Sequence, residues 1–166
     1  SYEPNHEAAM HFIRTILPHI RCRVRDARFF VVGKNPHEEL LQLHNGQVVV
    51  TGEVENIQDH LRHSSVVVAP ILSGGGMRMK ILEAFALSKA VVSTSLGAEG
   101  IEYSAGENIL IADTPDAFAS QVCKLLENPG ECVRLGRNAR NLMEDRYSVP
   151  AVWSRWQQVY RDLGIA

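Results

Sequence analysis

A chain of 166 residues, 45% hydrophobic and 22% charged, has the size and composition of one soluble globular domain that can bury a real core. Its formal net charge of −2 argues against a polyanionic partner, so nucleic acid is excluded as the expected ligand. Cys22, Cys123 and Cys132 are odd in number and lack CxxC spacing, which points to a reducing, cytoplasmic setting and to no metal; no apolar run approaches the ~18 residues of a membrane span.

In chain order, Pro4-Asn5 reads as a helix entry, with Asn5 as N-cap and Glu7 in the first turn. Ala8, Phe12, Ile16 and Leu17 form its apolar stripe, and Pro18 is expected to bend or stop it. Arg21, Arg23, Arg25 and Arg28 read as a solvated helix end. Residues 28–32 form a strand ended by Gly33-Lys34-Asn35-Pro36, and a short helix over 37–44 leads to an Asn45-Gly46 turn. A strand over 47–51 ends at Gly52, and a helix over 57–63 leads into a strand over 66–69. Further strands are expected over 90–93 and 108–112, and helices over 115–126, 129–146 and 150–163. Trp153, Trp156 and Tyr160 lie at helical spacing and read as packing residues. The seven histidines, His60 and His63 among them, read as surface residues.

Strands that are apolar throughout and alternate with helices predict an α/β fold, a Rossmann-like parallel sheet with helices on both faces. Ligands of such sheets bind beyond the carboxyl ends of the strands. Gly33, Gly52, Ser73 to Gly76 and 95–100 all fall there, which places one cleft at that edge.

The stretch from Ser73 to Phe85 carries the chemistry. Pro70 ends a buried strand, and Gly74-Gly75-Gly76 gives a loop that a ligand can approach closely because no Cβ stands in the way. The helical run over 77–87 follows, so free N–H groups and the positive dipole end form an anion site. Arg78 and Lys80 add two cations in the first turn, where cations are unfavourable unless an anion joins them. Ile81, Leu82, Ala84, Phe85, Ala86 and Leu87 surround Glu83 with apolar neighbours, so its carboxylate is expected to be buried and to need a partner. It sits about six residues past the loop, roughly 9 Å along the axis, a reach that suits a ribose beside a diphosphate. The competing reading is an i,i+3 ion pair between Lys80 and Glu83.

The segment from Ala69-Pro70 to Glu83, continuing to Thr94, resembles the donor half of group 1 (GT4-type) glycosyltransferases. Ser95-Leu96-Gly97-Ala98-Glu99-Gly100-Ile101 extends the likeness, Val50-Thr51-Gly52-Glu53-Val54 precedes it in order, and it runs from Tyr2-Glu3-Pro4-Asn5 to the last helix. The resemblance implies one half of a GT-B fold: residues 1–166 as a single C-terminal nucleotide-sugar-binding domain, with its first strand and an N-terminal acceptor domain outside the chain. The opening Ser1-Tyr2-Glu3, without Met, also reads as that of a fragment. The implied activity is retaining transfer of a hexosyl group from an NDP-sugar of UDP or GDP type, without a cofactor or bound metal. Arg78 and Lys80 would stabilise the leaving diphosphate. Ser73, Gly74, Gly75, Gly76 and Met77 would line it, Lys34 would lie near the phosphates, Gly52, Glu53 and Val54 would cup the base, and Glu83 would hold the ribose. Residues 97–100 would border the sugar. Partners implied are the donor, the acceptor domain and, for the full enzyme, peripheral association with a membrane. Where many members carry Glu-x7-Glu, Gly75 stands in place of the first Glu, so sugar contact there falls to backbone N–H groups. Rival readings are a nucleotide-sugar epimerase or hydrolase on the same fold and a non-enzymatic flavodoxin-like module. The second rival lacks acids at the strand ends.

Overall fold

The computed structural model describes residues 3–164. The order of elements is α1 (Glu3–His11), a π-helical turn (Phe12–Ile16), α2 (Leu17–Arg23), β1 (Phe29–Val32), α3 (Glu38–Gln42), β2 (Val48–Gly52), α4 (Ile57–His63), β3 (Val67–Ala69), α5 (Met79–Ala86), β4 (Val91–Ser93), β5 (Leu110–Ile111), α6 (Pro115–Glu127), α7 (Pro129–Tyr147) and α8 (Val149–Asp162). Tyr2 of the resemblance block lies outside the described residues. Every strand pair is parallel, as strands joined by helical crossovers must be.

Side-chain alternation along each strand separates two cores. Val92 and Leu110 face a layer built from Phe12, Ile16 and Ile20 of the first helices and from Phe118, Val122 and Leu125 of α6. Val91, Ala69 and Ile109 face the opposite layer, Ile81, Leu82 and Phe85 of α5 with Ala139 of α7. Neighbouring residues of one strand serve opposite faces because the pleat has period two. Val91 and Val92 are both 0% exposed, so β4 is covered from both sides. Phe85 and Phe118 are each almost wholly buried, and removing such a side chain from water contributes about 1.5–3 kcal/mol.

The sheet differs from the single one expected: β1 pairs with β2, and β3, β4 and β5 form a separate sheet. Phe29 N–H donates to Gln47 O (2.8 Å) and Val67 N–H to Ala90 O (3.0 Å). Backbone groups alternate sides along a strand, so those of Phe30 and Val32 in β1, and of Val68 in β3, point away from these ladders. The flanking strands are accordingly half-buried although wholly apolar, and Phe30 is 45% exposed.

Pro18 does not stop the helical run, which continues to Arg23. A proline ring crowds the carbonyl four residues back and leaves it without a donor. The π-helical turn over Phe12–Ile16 widens the ladder just before it, and Pro18 then sits in the first turn of α2. Asn5, expected as an N-cap, instead lies inside α1. Further along, Thr114 accepts from Ala117 N–H with Pro115 at the first helical position, and Asn128 caps α7 through Glu131 N–H. The aromatic residues of α8 are a correction. Trp153 and Trp156 are 60% and 53% exposed, and α8 buries none of its residues. Its apolar stripe is real, but α7 is its only substantial neighbour among the described elements.

Two glycines fix where helices and loops meet. At Gly136 of α7 an added Cβ would collide with the Ser88 carbonyl at the end of α5, and at Gly97 it would lie 2.6 Å from Ala69 O. Arg140, one turn beyond Gly136, donates to Ala86 O and so satisfies a carbonyl that the end of α5 leaves open. Gly136→Ala should therefore lower unfolding stability by about 2–3 kcal/mol, since backbone rather than a flexible side chain must yield. A denaturant melt checks this; a loss within about 0.5 kcal/mol of the parent would show that α5 and α7 can separate freely.

Candidate active site

The carboxyl ends of the parallel strands carry every loop singled out in the sequence. After β4 the chain is locked in place. Thr94 Oγ1 donates to Ile71 O (2.7 Å) and accepts from Gly97 N–H (3.0 Å), while Ser93 Oγ reaches Ala69 O (3.2 Å). Ser95 donates its N–H and its hydroxyl to Asp113, both at 2.7 Å, and these bonds hold the Asp113 carboxyl below its ordinary range. The 70–78 loop therefore rests on a fixed floor. Gly100 lies against Met77, where an added Cβ would approach within 3.8 Å.

Arg78 dominates the loop itself. Although it is the N-cap residue of α5, it makes no side-chain cap bond and is only 8% exposed. Its guanidinium turns back instead, donating to Gly75 O (2.6 Å), Gly74 O (2.8 Å) and Ser73 O (3.3 Å). Arg78 Nε is buried without a partner among the described residues. Gly74 and Gly76 take φ of +80° and +90°, a left-handed conformation that costs glycine little. Among the described residues no group accepts a hydrogen bond from the N–H groups of Gly74, Gly75 or Gly76.

Lys80 lies in the first turn of α5 and donates to Asn5 Oδ1 at 2.6 Å. Burial, and then the neighbouring Arg78 charge, push its ammonium below the usual lysine range. Ser73 Oγ donates to Glu7 Oε2 at 2.5 Å. The start of α1 is thus bound to Ser73 at the head of the loop and to Lys80 in the first turn of α5. Asn5 and Glu7 were legible only as a cap and a first-turn acid, because bonds that span 75 and 66 residues leave no local trace.

Glu83 requires correction. It is exposed, not buried, and no ion pair joins it to Lys80 among the described residues. Helix α5 turns Ile81, Leu82, Ala84 and Phe85 inward, and its open side carries Met79, 60% exposed, and Glu83 four residues later. A carboxylate on a wet face needs no protein partner. The remaining sites form a separate group at the ends of β1 and β2. Lys34 Nζ pairs with Glu53 Oε1 at 2.5 Å, and Gly33 N–H donates to Gly52 O at 3.2 Å, with Val54 half-buried beside them. The structure therefore brings Ser73, Arg78 and Lys80 together around the loop, and Lys34, Gly52 and Glu53 around the neighbouring strand ends.

The model of a family described as "Glycosyl transferases group 1" matches residues 1–128. A protein of Klebsiella pneumoniae, described as an uncharacterised 44.6 kDa protein in the cps region, is 29% identical over 100 residues, 60% of this chain and 26% of that protein. TarM of S. aureus superposes with a TM-score of 0.79 at 15% identity, over 95% of this chain and 33% of that one. Anabaena HepE, solved in complex with UDP, gives 0.75 at 15% identity, over 89% and 44%. These solved structures share the fold, a GT-B glycosyltransferase domain. The chain spans about a quarter of the Klebsiella protein's length.

The depressed Lys80 ammonium has a consequence for stability. A lysine whose folded pKa lies below its unfolded one is penalised while charged, and the penalty fades as pH rises toward the ordinary lysine range near ~10.4. The dipole of α5 adds to the penalty with the same sign. At pH 7, Lys80→Met should therefore stabilise the unliganded chain by about 0.3–1 kcal/mol, since water can replace the ammonium on the exposed Asn5. Melts at pH 7 and pH 10 should show the gain shrinking. A loss of stability at pH 7 would mean that Lys80 serves the fold rather than a ligand.

Proposed function

The chain belongs to the group 1 glycosyl transferases, and on that premise we propose that it is the C-terminal, donor-binding half of a transferase that moves a hexosyl group from a nucleoside diphosphate sugar to an acceptor. The observation that carries this reading is the loop from Ser73 to Arg78. The carbonyls of Ser73, Gly74 and Gly75 are bound to a buried guanidinium, the N–H groups of Gly74, Gly75 and Gly76 have no partner among the described residues, and Lys80 stands in the first turn of the following helix. Breaking the bond from sugar to diphosphate leaves the electron pair on a phosphate oxygen. The loop amides, Lys80 and the charge of Arg78 stabilise that oxygen as negative charge develops there, without a bound metal or cofactor. The anomeric configuration is retained.

Glu83, exposed one turn beyond Met79, accepts the ribose hydroxyls. Gly52, Glu53 and Val54 cup the base from the neighbouring strand end, and Lys34, now paired with Glu53, lies at the rim toward the phosphates. Gly75, with open space where a Cβ would stand, offers the sugar its amide in place of a carboxylate. HepE crystallised with UDP on the same fold, which supports a uridine donor. The acceptor is held by a second domain, so this chain alone binds donor without transferring sugar at an enzymatic rate.

The two-part sheet fits the same proposal. Helix α1 begins at the carboxyl edge, beside Ser73 and Lys80, and α2 ends at the amino edge before β1, so together they run as the crossover of a βαβ unit. One parallel strand preceding α1, placed between β1 and β3, would give the doubly wound order of a dinucleotide-type fold.

Calorimetric titration of the chain with UDP, GDP and their monophosphates and nucleosides tests the donor reading. Affinity should rise from nucleoside to monophosphate to diphosphate, with one base preferred. Glu83→Ala should lose about 1.5–3 kcal/mol of diphosphate binding, and 2′- and 3′-deoxyribose analogues should lose less against that variant than against the parent. A phosphate-independent series, or additive losses in the Glu83 cycle, would overturn the assignment.

A further inference from the structure

We infer that Arg78 is a positioning residue: its guanidinium gathers the carbonyls of Ser73, Gly74 and Gly75 and thereby aims three successive amides at the phosphate. The inference rests on the donor reading above and concerns how that site is built. A peptide unit is planar and trans, so its N–H points opposite to its C=O. The carbonyls of 73, 74 and 75 share their planes with the N–H groups of Gly74, Gly75 and Gly76. Drawing those three oxygens onto one guanidinium turns those three hydrogens away from it, to the other side of the loop.

The dihedral angles agree. Gly74 and Gly76 are left-handed at +80° and +90°, whereas Gly75 between them is not. Alternating hand along successive residues makes consecutive N–H groups converge on one concave side, the arrangement that binds an anionic oxygen. Left alone, the two left-handed glycines would be free to leave that conformation, and the cost of ordering them would fall on ligand binding. The buried guanidinium removes that freedom in advance. Its geometry also separates its role from that of Lys80, since both Nη atoms are engaged with the loop while Lys80 holds only an exposed asparagine.

A planar fork holds the three carbonyls from two nitrogens in one fixed geometry. A lysine keeps the charge, but its three donors share one nitrogen and rotate on a flexible stem. The charge-conserving variant Arg78→Lys therefore separates position from charge. In calorimetry on the chain, the parent should bind UDP more tightly than uridine. Arg78→Lys should lose about tenfold or more on UDP and leave uridine unchanged, so the ratio of the two affinities collapses. A merely structural role predicts a lower melting temperature with the ratio intact, and a merely electrostatic role predicts an unchanged ratio; either result overturns the inference.

If Arg78→Lys does not fold, amide spectra of the parent decide. The Gly74, Gly75 and Gly76 N–H signals should shift strongly with UDP and hardly with uridine; in a chain that binds UDP, unmoved signals at all three overturn the inference. Failure of the donor reading looks different. The parent itself would then show no preference for UDP over uridine.

Discussion

A carbonyl cannot be turned one way without its peptide's N–H turning the other, and the contact of Arg78 with three successive carbonyls makes that constraint the basis of the site. The guanidinium is buried, so its donors need oxygens around them. The loop supplies them by adopting a shape that only glycine takes easily at 74 and 76. What looks in sequence like two cations crowded at a helix start is thus two different devices. One holds the loop, and the other, Lys80, stays near the opening at a cost to its own ionisation.

The rest of the fold keeps that loop at a fixed height above the sheet. Its floor is β4, buried on both faces: Ser93 at its end and Thr94 just beyond it donate their hydroxyls to the carbonyls of Ala69 and Ile71, ahead of the glycines. Its far side is α5, clamped to α7 at Gly136 and Arg140. Its near side is the start of α1, joined through Asn5 and Glu7. Each support comes from a distant part of the chain. The loop is therefore positioned by tertiary structure, and its own residues supply only the permissive backbone.

This division explains how much was legible beforehand. Strand and helix positions followed from unbroken apolar runs and from prolines that open helices, as at Pro115 and Pro129, because those signals are local. The loop after β3 was legible too, since its glycines and cations share one short stretch. The orientation of Glu83 was not. Counting apolar neighbours implied an all-round buried helix, but one side of α5, which carries Met79 and Glu83, is open to solvent. Trp153 and Trp156 failed similarly: helical spacing reveals an apolar stripe without revealing whether this chain supplies its cover. The role of Arg78 was hidden for another reason, because a cation at a helix start reads the same whether it faces a ligand or folds back onto backbone.

The most direct test is a crystal structure of the chain with UDP bound. The account predicts phosphate oxygens within about 2.7–3.2 Å of the N–H groups of Gly74 to Gly76, with Lys80 turned toward them and the Arg78 guanidinium still on the carbonyls of Ser73, Gly74 and Gly75. An Arg78 side chain that leaves those carbonyls to grip the phosphates directly, with the loop amides pointing elsewhere, would contradict it.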